Sequence, residues 1–248
     1  MRHIKFFSFY VLILLGFGTF LASCGSSDSD SIDRLEISTR SGQIKGYEVN
    51  STYAFLGIPY AAPPVGDLRW KPPVQEVKWE GVRDCTEYGN APIQPTELDL
   101  GQGVGISEDC LYLNVWTPDT DKNAALPVMF WICGGEYVYG TGSQPEYVGV
   151  NLATSGVVVV TINYRLNVFG FLVNELLYEE QGHAGNYGLM DMKAALEWVQ
   201  DNIKNFGGDP DNVTIFGESA GGSSVTHLMG SESVRGLFHK AICQSGSS

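Results

Sequence analysis

The chain has 248 residues, a formal net charge of −13, 44% hydrophobic residues, 12% aromatic residues and 30 glycines. That length and apolar content support a sizeable core in one large domain or two small ones, with many turns. The acidic balance and the lack of any basic run argue against a nucleic-acid partner.

The first segment reads as an export signal. Arg2 and Lys5 precede a mostly apolar run from Phe6 to Leu21, with small residues after it. The ending Leu21-Ala22-Ser23-Cys24 resembles a bacterial lipobox, so residues 1–23 are expected to be removed and Cys24 acylated. Membrane anchoring through Cys24, at the periplasmic face or the cell surface, is the expectation. The alternative is an ordinary signal with an incidental cysteine. Residues 24–33 are rich in Ser and Asp, too polar to pack, and are read as a flexible tether. Residues 34–248 are read as the globular part.

"LEISTRSGQIKGYEV" has two strand-like runs around a Ser-Gly turn and predicts an N-terminal hairpin. "FLGIPYAAPPVGDLRWKPP" is rich in Pro and Gly and predicts an extended loop. "LYLNVWTP" and "PVMFWIC" predict strands, and Glu146 to Ser155 a helix. "GVVVVTINY" is a β-branched run suited to a buried parallel strand. Leu189, Met192, Leu196, Val199 and Ile203 recur at helical spacing and predict a helix over 188–205. "NVTIFG" predicts a strand, "SAGGSSVTHLMG" a helix and "KAICQSG" a final strand. Such alternation argues for an α/β sheet with helices on both faces.

Gly217-Glu218-Ser219-Ala220-Gly221 fits the nucleophile elbow, a strained strand-to-helix turn that lifts a serine hydroxyl. The bland reading is a glycine-rich helix start with a capping serine. The wider sequence decides for the elbow. The stretch from Phe206 to Gly221, the stretch from Glu108 to Val115, and "NYRLNVFGFL", "GNYGLMDMKAALEWVQDNI" and "LFHKAICQSGS" resemble the carboxylesterase type-B family of α/β-hydrolases. The resemblance runs from about Leu35 to Ser248. It implies the N-terminal part of an α/β-hydrolase fold, with a mixed, mostly parallel central sheet. It implies a serine carboxylic-ester hydrolase with Ser219 as nucleophile, a small-molecule ester as substrate, and no metal or cofactor. The backbone N–H of Ala220 becomes one oxyanion donor.

The remaining donors of the family lie in a loop that usually reads His-Gly-Gly-Gly. This chain reads Cys133-Gly134-Gly135-Glu136, which makes Gly135 and Glu136 the donors. Backbone amides need no particular side chain. A carboxylate about 4 Å from a developing oxyanion, however, repels it by about 4 kcal/mol at an effective dielectric near 20. Either Glu136 points away or it opposes catalysis; the residues alone leave both open. The resemblance also implies buried ion pairs, Arg69 with Glu108 and Arg165 with Asp191. In the family Cys110 pairs with an earlier cysteine placed before a glutamine. Here that slot is Ala91 to Gln94, and Cys85 is displaced from it.

In α/β-hydrolases an acid and then a histidine follow the serine along the chain. After Ser219 come one acid, Glu232, and two histidines, His227 and His239. His227 lies about 12 Å along the following helix by rise alone. His239 matches a non-catalytic position, His183 precedes the serine, and His3 leaves with the signal. The triad acid and histidine are therefore expected in a C-terminal half that this sequence lacks, through a truncated gene model, a split gene encoding the halves separately, or an inactive remnant. A second reading is a cholinesterase-like binding protein without catalysis, favoured by the departures at Cys133 and Glu136.

Overall fold

The computed structural model describes residues 34–95 and 98–246. The expected export signal, Cys24 and the tether lie outside the described residues. Among those described, no helix is long and apolar enough to cross a membrane.

Among the described residues, ten strands form two sheets. A small one joins β1 (Glu36–Ser38), β2 (Gln43–Lys45) and β5 (Val82–Asp84). β1 and β2 are antiparallel and form the hairpin expected around the Ser-Gly turn. The large sheet contains β3 (Tyr47–Val49), β4 (Thr52–Pro59), β6 (Tyr112–Thr117), β7 (Leu126–Ile132), β8 (Val158–Ile162), β9 (Gly208–Glu218) and β10 (Lys240–Gln244). Its order is β10-β9-β7-β8-β6-β4-β3. The four strands from β10 to β8 are mutually parallel, and β6, β4 and β3 continue the sheet antiparallel. The mixed sheet therefore keeps its parallel part where the serine lies.

Among the described residues it is accompanied by α1 (Val150–Ala153), α2 (Asn167–Phe171), α3 (Glu175–Gln181), α4 (Tyr187–Asn202) and α5 (Ala220–Met229). β8 is buried at every position, as its unbroken β-branched run requires. One sheet face carries Phe55, Val115, Phe130, Ile132, Val160 and Ile215, and packs with Met192, Ala195, Leu196 and Val199 of α4. Phe206 closes this layer, edge-on to Phe55 at 5.1 Å and 5.7 Å from Trp198. Burying each such ring contributes roughly 1.5–3 kcal/mol. The opposite face carries Ala54, Trp116 and Val159 and is covered by α1. Helices thus lie on both faces.

Three expectations need correction. The loop expected from Phe55 begins as strand, because β4 runs to Pro59. Its buried Phe55 and Ile58 pair with β6 on either side of a register shift, and the buried Leu56 between them donates its N–H to the Cys85 carbonyl at 2.7 Å. The Pro/Gly content governs only the segment beyond Pro59. The helix expected over 146–155 is instead a 3₁₀ turn at Pro145–Tyr147 and one α-turn at α1. Gly149, a poor helix former, separates them. Finally, the Arg69–Glu108 pair forms, at 2.5 and 2.7 Å, but its side chains are 40% and 22% exposed. It is a partly solvated pair and not a buried one.

Arg165 and Asp191 do form a buried pair, at 3% and 0% exposure. The guanidinium donates to both carboxylate oxygens at 2.7 and 2.8 Å, and the Arg165 N–H adds a third bond. Cys85 and Cys110 are both buried and unbridged.

Candidate active site

The chain leaves β7 towards β8 on one side of the sheet and leaves β9 towards β10 on the other. Loops that diverge in this way open a crevice at the carboxyl ends of the two strands, where α/β sheets bind ligands. Ile132 pairs with Gly217 at those ends. The Cys133–Glu136 loop and Ser219 therefore emerge side by side.

Ser219 stands between β9 and α5 with φ 54° and ψ −121°. A non-glycine residue in such a region costs on the order of 1–3 kcal/mol and persists only when its surroundings impose it. Here they do. The Ser219 N–H donates to the Gln244 carbonyl at 2.9 Å, and its own carbonyl accepts from Ser223 at 2.9 Å. Gly221 lies against the end of β7: a Cβ there would be 2.1 Å from the Ile132 oxygen. Ser219 is half-buried, and its hydroxyl has no partner among the described residues.

The loop after β7 closes onto this elbow. A Cβ on Gly134 would sit 2.6 Å from the Glu218 carbonyl and 3.3 Å from the Ser219 Cβ. Gly135 has φ 109°, and its carbonyl accepts from Val138 and Tyr139 at 2.9 and 3.0 Å. Glu136 and Tyr137 occupy the two central positions of that turn, both in the left-handed region, at φ 58° and 61°. The N–H groups of Gly135, Glu136 and Ala220 have no acceptor among the described residues. Glu136 is exposed and Ala220 buried.

The loop is held from several sides. The Tyr164 hydroxyl donates to the Cys133 carbonyl at 2.9 Å. The buried Gln94 side chain clamps Gly140 on both backbone groups, at 2.8 and 3.0 Å. Asn163 Oδ1 accepts from Thr141 Oγ1 and the Gly142 N–H, each at 2.8 Å. Asn167 N–H reaches the Tyr137 carbonyl at 2.7 Å, and the Tyr137 hydroxyl lies 3.1 Å from Ser224 Oγ on α5. The roles of Gln94, Asn163 and Tyr164 were not read from the sequence, although all three fall within or beside matched stretches.

Burial pushes the Cys133 thiol up to about 12, which keeps it a neutral thiol beside the elbow. Trp131, at the end of β7, packs between Tyr147 and Phe216, each 4.9 Å away. Burial and the neighbouring Cys133, Glu146 and Glu218 push the Tyr147 phenol up to about 12.

Two of the described histidines hold partners elsewhere, and the third is exposed. His239 Nδ1 takes the Val213 N–H at 3.2 Å. That is six residues back along β9 from Ser219, about 20 Å. His227 is exposed on α5, and His183 Nδ1 meets the Gln181 carbonyl at 3.1 Å. Glu232 is exposed and paired with Arg235. Among the described residues no group of three or more His, Cys, Asp or Glu could hold a metal ion.

The model of the carboxylesterase family matches residues 33–248. A fumonisin B1 esterase of Sphingopyxis macrogoltabida is 50% identical over 210 residues, covering 84% of this chain and 39% of its own length. A para-nitrobenzyl esterase of Bacillus subtilis is 50% identical over 217 residues, covering 86% of this chain and 44% of its own. Among solved structures, a PNB esterase superposes with a TM-score of 0.81 at 47% identity, over 87% of this chain and 44% of that one. A Geobacillus stearothermophilus carboxylesterase gives 0.79 at 47% identity, over 86% and 44%. The chain thus spans about two fifths of the length of these relatives.

Proposed function

The chain belongs to the carboxylesterase family and carries part of its α/β-hydrolase fold, and from that premise we propose that it serves in the hydrolysis of carboxylic esters through Ser219. Ser219 Oγ attacks the ester carbonyl, and the carbonyl oxygen takes the negative charge. The N–H groups of Gly135, Glu136 and Ala220 hold that oxyanion. Collapse expels the alcohol and leaves an acyl group on Ser219, which water then removes. The observation that carries the reading is the imposed backbone of Ser219, seated against the Gly134–Glu136 loop with three N–H groups uncommitted.

A serine hydroxyl needs a base to take its proton. His239 and His183 hold partners away from Ser219 and His227 is exposed on α5, so the proposal places the histidine and its orienting acid outside these 248 residues. It also places the protein at a membrane, held by acyl chains on Cys24.

Residues 24–248 joined to the complementary part of the Bacillus subtilis para-nitrobenzyl esterase test this. The joined protein is expected to hydrolyse short 4-nitrophenyl esters, and residues 24–248 alone are not. Ser219→Ala in the joined protein is expected to lower kcat/KM by roughly 10⁴-fold or more with an unchanged melt. Activity that survives Ser219→Ala rejects the proposal. The competing reading, a binding protein without catalysis, draws on Cys133 and Glu136 standing where the family carries His and Gly. An inactive joined protein that melts cooperatively would favour it.

A further inference from the structure

We propose that Tyr137 is a positioning residue: its hydroxyl ties the turn that carries the Gly135 and Glu136 N–H groups to the residue that carries the Ala220 N–H. The inference rests on the ester-hydrolase reading above and adds the group that fixes the separation of its two sets of oxyanion donors. The tie is a relay of two hydrogen bonds. The Tyr137 hydroxyl lies 3.1 Å from Ser224 Oγ, and Ser224 Oγ lies 2.9 Å from the Ala220 carbonyl oxygen. Ser224 has one hydroxyl hydrogen, and a carbonyl only accepts. That hydrogen therefore goes to Ala220, and the phenol supplies the hydrogen between the two hydroxyls. Ser224 is fully buried, where such bonds are stronger than in water.

The other end of the relay is held as firmly. The Tyr137 carbonyl accepts from the Asn167 N–H at 2.7 Å, and Asn167 Nδ2 donates to the Ile93 carbonyl at 2.7 Å. The Tyr137 ring packs on Phe171 with centroids 4.9 Å apart. Glu136 and Tyr137, at φ 58° and 61°, fill the two central places of a turn that ordinarily takes Gly or Asn. A turn built of such residues keeps its shape only through outside contacts, and the phenol supplies its bond to α5. Without that bond the Gly135 and Glu136 amides are free to drift relative to Ala220. A misplacement of about 1 Å near the reacting atoms costs up to about 10²-fold in rate. In the competing reading the ring only fills space beside Phe171, and the hydroxyl has no part in the chemistry.

Tyr137→Phe keeps the ring and removes the hydroxyl. In the joined protein it is expected to lower kcat for 4-nitrophenyl butanoate about tenfold, with KM within about twofold of the wild type. The reason is that the amides act on the oxyanion more than on the ground-state carbonyl. Affinity for benzeneboronic acid, which becomes tetrahedral on a serine oxygen, is expected to fall by about the same factor. Ser224→Ala cuts the relay from the helix side. The double variant is expected to lose no more than the larger single loss, because the two hydroxyls act as one unit. An unchanged kcat, a loss confined to the melt, or losses that multiply in the double variant overturns the proposal. Should Tyr137→Phe fail to fold, Ser224→Ala gives the same kcat and KM readout. If the wild-type joined protein hydrolyses no ester, the ester-hydrolase reading fails, and hydrogen exchange decides the tie separately. The Val138 and Tyr139 amides, both bonded to the Gly135 carbonyl, are expected to exchange about tenfold faster in Tyr137→Phe. Equal rates overturn the tie.

Discussion

Ser219 and Glu136 are held in backbone regions that side chains rarely occupy, and the sequence signals the two unequally. The glycines at 217, 221 and 222 mark a close strand–helix turn around Ser219, so its position was legible from spacing alone. Nothing local foretold the left-handed turn at Glu136 and Tyr137, because neither residue favours it. The neighbours impose it: the Gly135 carbonyl, the Asn167 N–H and Ser224. The question left open at Glu136 is now narrower, since its side chain is exposed. The cysteines carry a prediction at this scale. Burial pushes the Cys85 and Cys133 thiols up to about 12 and raises the Cys110 thiol well above its ordinary value, while Cys243 is exposed. Near pH 8, iodoacetamide is expected to modify Cys243 in the native protein and to reach the other three only after unfolding. Rapid native labelling of Cys133, or a Cys85–Cys110 bridge in the peptide map, would contradict that.

The elbow is where two elements approach more closely than side chains allow. Propensity and contact pull in opposite directions at Gly221, in the first turn of α5. Glycine to alanine in a helix interior gains up to about 1 kcal/mol. The added Cβ, however, would stand 2.1 Å from the Ile132 carbonyl, and backbone overpacking costs typically about 1–3 kcal/mol. The contact wins, so Gly221→Ala is expected to destabilise the joined protein by about 1–2 kcal/mol in urea and to lower kcat. A stabilised variant of full activity would mean that α5 is not packed on β7 as described. Elements with strong periodicity, such as α4 and β8, were legible in the sequence. β4 was partly hidden, because Gly57 and Pro59 mask a strand whose pairing with β6 compensates for them. α2 and α3 carry no long apolar stripe; α3 buries none of its residues and α2 only Gly170. Tertiary contacts such as Trp70 Nε1 to the Val168 carbonyl, at 2.8 Å, help place this segment.

Across the whole molecule, strand order is what turns separate motifs into one site. The Cys133–Glu136 loop and Ser219 are more than eighty residues apart in sequence, and the parallel pairing of β7 with β9 brings them together. That adjacency was implied by family resemblance and could not be read from periodicity, which reports single elements only. The Gln94, Asn163 and Tyr164 contacts escaped for the same reason: each joins segments that are not neighbours in the chain. At this scale the proposed anchor is tested by fractionation. Cys24→Ser is expected to move the protein from the membrane to the soluble fraction, and a variant that stays on the membrane rejects lipidation there. The central claim is that Ser219 carries the acyl group. Its most direct measurement is rapid acid quench of the joined protein during turnover of a 4-nitrophenyl ester, followed by peptide mass analysis. The account predicts the acyl mass on the peptide that contains Ser219, and its loss in Ser219→Ala. Steady hydrolysis with the acyl group on another residue would contradict it.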